Sequence, residues 1–158
     1  MTELFNIQRK IHLDVRPLRA FAETLCEQVH EAFGSSFATA LISDRRMKEL
    51  NSLFRGKSET TDVLSFPHSP DQFDKSDALT QSSADAKTPK GVTPIFLGDI
   101  VISAEQAQRQ AKSNRLSLER EIKQLILHGL LHLCGYDHER DKGEMNAREL
   151  ELRKKLKI

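Results

Sequence analysis

Apolar residues change their spacing several times along the chain, and each change marks a predicted element. Phe5, Ile7, Ile11, Leu13 and Val15 occupy alternate positions, the period-two signature of a half-buried strand. The alternation stops at Arg16-Pro17. Leu18, Phe21, Leu25, Val29 and Phe33 then recur at helical spacing as far as Gly34, with Pro17 suited to the first helical turn. "FATALIS" predicts a second strand. Asp44 reads as the N-cap of a helix through Met47, Leu50 and Phe54 that closes at Gly56.

"TDVLSF", ended by Pro67, and "IFLGDIVI" predict two further strands. Residues 68–94 between them are rich in Ser, Asp, Lys, Pro and Thr and lack apolar periodicity, which predicts a long surface loop, mobile over much of its length. An inert insertion is the favoured reading of that loop, and a lid or partner-binding arm is the alternative. Ser103 caps a polar helix to about Asn114, and Ser117 caps the next, "LEREIKQLILHGLLHL". From Leu125 onward this helix is apolar on nearly every side and belongs in the middle of the molecule. Glu144 to Leu156 predicts a surface helix with a narrow buried stripe at Met145, Leu152 and Leu156.

A chain of 158 residues predicts one compact domain spanning 1–158 with one hydrophobic core. Its 38% hydrophobic and 30% charged residues suit a soluble protein, and no apolar run approaches a membrane span of about 18 residues. "MTELFNIQRK" has no apolar stretch of the secretory kind, so a cytoplasmic location is expected. Cys26 and Cys134 lie far apart in apolar helical patterns, as buried free thiols do. A net charge of +1 excludes nucleic-acid binding through bulk charge and leaves room for a local basic patch.

Chemistry concentrates in "HGLLHLCGYDH", residues 128–138, which holds three of the six histidines. His128 and His132 are four apart, so a helix presents both imidazoles on one face. Gly135 ends that helix and lets the chain bring His138 back, giving three nitrogen ligands with a fourth position open. A packed or solvated histidine is the ordinary reading of any one of them. Three at HxxxHxxGxxH spacing on an apolar helix reverse those odds, because burying unpartnered imidazoles is costly. Zinc is the favoured ion, with nickel, copper and iron(II) left open by the ligand set.

The spacing overlays the metzincin peptidase pattern HExxHxxGxxH, except that Gly129 stands where those enzymes carry the glutamate that takes the proton of the attacking water. Glu121 lies about two turns upstream, roughly 10 Å along the axis, too far to replace it. Asp137 and Glu139 flank His138 and suit either ligand orientation or plain solvation.

A second motif, "NSLFRGKSETTDVLSFP", places Arg55 at a predicted helix end. Its planar fork can grip a phosphate, and its ordinary role there is to place a cation at a helix C-terminus. Together, "NxxFRxK…TDVLSFP", "LGDIVIS" and "HGLLHLCGYDH", in that order from Leu41 onward, resemble the YbeY family of bacterial metal-dependent endoribonucleases. The resemblance implies an α+β domain in which a small mixed sheet packs with helices and a zincin-like metal site sits on a central buried helix. It implies one zinc ion held by His128, His132 and His138, and an important arginine at Arg55. It also implies action on single-stranded RNA, including the 3′ end of small-subunit ribosomal RNA, in rRNA maturation and ribosome quality control.

Arg55 and His128 are thus the expected catalytic residues. The nucleophile is left open between water and the RNA's 2′-hydroxyl, and ribosome-associated proteins are the expected partners, with no role for DNA or membrane. With one Tyr and no Trp, base stacking would use Phe, His or Arg. The rivals are a metzincin-like zinc peptidase, and a non-enzymatic ribosome-assembly factor whose zinc only stabilises the fold.

Overall fold

In the computed structural model, residues 2–68 and 95–158 are described. In chain order they form β1 (Glu3–Asn6), α1 (Arg16–Gln28), a 3₁₀ turn (His30–Ala32), β2 (Ser35–Ile42), α2 (Asp44–Arg55), β3 (Val63–Pro67), β4 (Ile95–Ser103), α3 (Ala104–Asn114), α4 (Leu118–Leu133) and α5 (Glu144–Leu156). The segment 69–94, most of the expected surface loop, lies outside the described residues.

The four strands make one mixed sheet in the order β1-β2-β4-β3. β1 and β4 both pair parallel with β2, while β3 runs antiparallel along β4 and forms an edge. Strand alternation divides the apolar residues between two faces. Phe37, Leu41, Ile100 and Ile102 join Leu18 and Leu25 of α1 and Ile122, Ile126 and Leu130 of α4 in the main core. Ile42, Leu64 and Val101 point the other way and pack on Met47 of α2. The α+β class, the small mixed sheet and the central buried helix are therefore as the resemblance implied. Among the described residues no helix is long and apolar enough to cross a membrane.

Serines 43, 103 and 117 each cap a helix, their hydroxyls accepting from the N–H groups of Arg46, Gln106 and Arg120. The cap of α2 is thus Ser43 and not Asp44. Asp44 is one residue inside, and its carboxylate accepts from Ser103, Thr60 and Arg109, tying the start of α2 to the end of β4 and to α3.

Two other expectations need correction. β1 ends at Asn6, and its buried side chain is Leu4, whereas Phe5 and Ile7 are exposed. The Gln8 side chain exchanges two hydrogen bonds of 2.8 Å with the backbone of Ile11, which bends the chain out of the sheet before the alternation can continue. α1 likewise ends at Gln28, and the tighter 3₁₀ turn that follows buries Ala32 and rotates Phe33 into solvent.

Candidate metal centre and its cleft

Helix α4 sets His128 and His132 one turn apart, and their Nε2 atoms are 3.2 Å from each other. After Leu133 the chain turns through Gly135, whose φ of 102° is a conformation side chains resist. The turn is closed by Gly135 N–H donating to the His132 carbonyl and Tyr136 N–H to the Leu131 carbonyl, at 3.0 and 3.1 Å. It delivers His138 with Nδ1 3.2 Å from His132 Nε2. One nitrogen from each ring lies within 4.8 Å of the others. A tetrahedral ion at about 2.0–2.1 Å from its ligands sets neighbouring nitrogens roughly 3.3 Å apart, which the two 3.2 Å separations match, so a small closing of the three rings completes the set for a divalent cation of that kind.

Two of the rings are braced from behind. Glu149 of α5 accepts from His128 Nδ1 at 2.9 Å, and the Tyr136 carbonyl accepts from His132 Nδ1 at 3.0 Å. Each bond fixes the tautomer that leaves Nε2 unprotonated and aimed at the common point. Burial pushes the Glu149 carboxyl up, but the hydrogen bond and charge of His128 and the nearby Arg153 outweigh it and hold the group below the ordinary carboxylate value. Burial also lowers the His132 pKa, and the neighbouring His128 and His138 lower it further, which keeps the imidazole in its ligating neutral form.

The brace on His132 is itself anchored. The Tyr136 hydroxyl donates to Glu31 at 2.8 Å, and Arg148 grips Glu31 through both carboxylate oxygens, at 2.9 and 2.7 Å. These bonds hold the Glu31 carboxyl down at about 2, chiefly through Arg148, against some burial. The 3₁₀ turn, α5 and the histidine loop are thereby locked together.

The three histidines form one wall of a cleft of about 580 Å³. Arg55, Thr61, Asp62 and the strand residues Val63, Leu64, Ser65 and Pro67 form another wall, and Asp137 and Glu139 also line the cleft. The structure thus brings every expected site residue to one cleft: His128, His132, His138 and Arg55. The Ser65 hydroxyl donates to the Gly129 carbonyl at 3.1 Å and pins β3 to α4.

Gly129 has a packing reason that spacing did not show. A Cβ there would sit 2.7 Å from Ile100 Cγ2, so the bare backbone lets α4 settle on β4. A side chain at this position would start out against Ile100 of β4. Glu121 is buried and accepts from Asn114 at 3.3 Å, outside the cleft wall. Glu149, Tyr136, Glu31 and Arg148 were missed as parts of the site. One signal was available: Glu149 continues the Met145, Leu152, Leu156 stripe, and an acid on a buried stripe needs a partner.

The family model described as "Endoribonuclease YbeY" matches residues 3–157. A protein of Nautilia profundicola named "Endoribonuclease YbeY" is 43% identical over 118 residues, spanning 75% of this chain and 70% of that one. One of Syntrophomonas wolfei with the same name is 34% identical over 155 residues, 96% of this chain and 93% of that one. Among solved structures, the solution structure of a Thermotoga maritima protein matches with a TM-score of 0.58 and 26% identity, covering 96% of this chain and 85% of that one.

Proposed function

Since the chain belongs to the YbeY family of endoribonucleases, we propose that it cuts single-stranded RNA with the help of one zinc ion, in ribosomal RNA maturation at the small-subunit 3′ end and in ribosome quality control. The observation that carries this reading is the convergence of three imidazole nitrogens in a cleft that Arg55 also lines. His128, His132 and His138 would hold the ion, which when bound supplies Lewis-acid chemistry, drawing charge from a phosphate oxygen and lowering the pKa of adjacent water. Arg55 holds the phosphodiester with its fork and offsets the charge that builds in the transition state. Glu149 and the Tyr136 carbonyl keep His128 and His132 aimed, and His128 is in this sense both ligand and catalytic residue. RNA is the partner and DNA is not, and the site of action is the cytoplasmic ribosome and its associated proteins.

A peptidase is disfavoured because the position after His128 faces Ile100 and holds no base. The deciding experiment joins metal analysis of the purified protein to cleavage of a single-stranded RNA with and without chelator. The expected result is one zinc per chain and cleavage that chelator abolishes. RNA left intact with every divalent metal supplied, alongside a His128→Ala variant that merely melts at lower temperature, would favour the assembly-factor reading. Chelator-sensitive cleavage of a denatured protein would favour the peptidase.

A further inference from the structure

Two large apolar side chains stand exposed next in sequence to Arg55, which lines the cleft. Leu53 and Phe54, in the last turn of α2 just before Arg55, are 77% and 65% exposed. Phe54 meets Phe66 of β3 edge to face, with ring centroids 5.1 Å apart and planes at 70°. Alternation along β3 sends Phe66 to the α2 side of the sheet, while its neighbours Ser65 and Pro67 line the cleft. The ring pair and the cleft therefore share one edge strand and one helix end, and Arg55 adjoins both.

Phe66 is half-buried against Met47 and its neighbours, so it serves as the seat of the exposed Phe54 ring, and an exposed ring so held beside a site of chemistry marks a binding surface more than a stray surface residue. The charge around it selects the partner. α2 carries Arg45, Arg46, Lys48 and Arg55 against Asp44 and Glu49. Asp44 is engaged by Ser103, Thr60 and Arg109, and Glu49 lies 3.9 Å from Arg45. Among the described residues no ion pair engages Arg46, Lys48, Arg55 or Lys57. Cations next to an open aromatic ring suit a polyanion whose backbone meets the charges and whose bases meet the ring.

We propose, resting on the RNA-cleaving reading above, that Phe54 and Phe66 form a stacking platform for an unpaired base flanking the phosphodiester held by Arg55. A base inside a duplex already stacks on its neighbours and cannot reach the rings. The platform thus gives the cleft a physical preference for single strands, without reading any base edge.

The test uses the full, metal-loaded chain and two 2′-O-methyl oligoribonucleotides, checked by gel to stay intact during the measurement, one with all its bases and one abasic at its central positions. Binding is followed by fluorescence anisotropy, and cleavage of the unblocked oligomer is followed in parallel. The wild type should prefer the base-bearing oligomer by about 5- to 100-fold. Phe54→Ala and Phe66→Leu should lose that preference at unchanged melting temperature and unchanged affinity for the abasic oligomer, while Phe54→Tyr retains it. Equal binding of the two oligomers by the wild type, or an undiminished preference in both Phe54→Ala and Phe66→Leu, overturns the platform. A retained preference with no cleavage by the wild type would support the platform and sink the nuclease reading instead. Cleavage with no preference would do the reverse.

Discussion

The two walls of the cleft are built on opposite plans. On the histidine wall the first two ligands sit on a buried helix, and each is held from behind by an acceptor that is itself held: Glu149 beside Arg153, and Tyr136 through Glu31 and Arg148. On the other wall Arg55 ends a surface helix, exposed, with no ion pair among the described residues, and shares that wall with β3, the last strand of the sheet among the described residues. Holding an ion requires ligands fixed in advance, since misaligned rings lose affinity. Gripping a flexible phosphodiester tolerates a side chain that finds its partner on binding. Rigidity is thus spent where geometry demands it, and the difference can be tested wall by wall.

The largest effect should follow from removing a brace. Glu149→Ala leaves His128 Nδ1–H without its buried acceptor and frees the ring to turn. We expect metal affinity to fall by about 10- to 100-fold, read by competition with a chromophoric chelator. Glu149→Gln keeps an acceptor and should lose less. Unchanged affinity in the alanine variant would mean that the histidine wall is no better preorganised than the arginine wall, and the contrast between them would fail.

The Glu31 anchor predicts a pH dependence of stability whose sign is set by its lowered pKa. Folded Glu31 titrates at about 2, against an ordinary value of 4.5. Above the ordinary value it is ionised in both states, and its pairing with Arg148 and Tyr136 contributes in full. As pH falls from there toward 2 the unfolded chain takes up the proton first, so the contribution is lost. After allowance for solvent screening the loss is about 2 kcal/mol. Denaturant melts of wild type and Glu31→Gln should therefore converge on acidification across that window and stay apart at neutral pH. Parallel curves would show that the fork on Glu31 adds no stability and that the brace on His132 stands without its anchor.

How much of this was legible beforehand follows the same contrast. The three ligands were readable because a metal site on a helix obeys the helix period, and Gly135 announces the turn that returns His138. Arg55 was readable only through its motif, since nothing local tells a phosphate-gripping arginine from one placed at a helix C-terminus. The braces were illegible for another reason: Glu31 and Arg148 are 117 positions apart, and no period links residues that meet only in the folded chain. At the start of the chain, Ile7, Ile11, Leu13 and Val15 kept a strand-like alternation that the Gln8 loop overrode, because side-chain bonds to the backbone compete with a sheet ladder. Gly129 was read through its chemistry, as the missing base, while its cause is contact with Ile100.

Arg55→Lys should give the smallest effect and the sharpest separation of the walls. Lysine keeps the positive charge near the C-terminus of α2, where Gly56 in a left-handed conformation closes the helix, so stability should hardly change. What lysine lacks is the planar fork that makes two parallel bonds to a phosphate. We expect RNA cleavage to fall about tenfold, the size of one lost charge-assisted hydrogen bond, with metal affinity equal to wild type. Arg55→Ala, which removes the charge as well, should fall further. Full activity in the lysine variant would show that the arginine wall works by charge alone and needs no geometry, which widens its contrast with the histidine wall. A drop in metal affinity would instead mean that Arg55 is coupled to the ligands across the cleft, and the two walls would have to be treated as one unit.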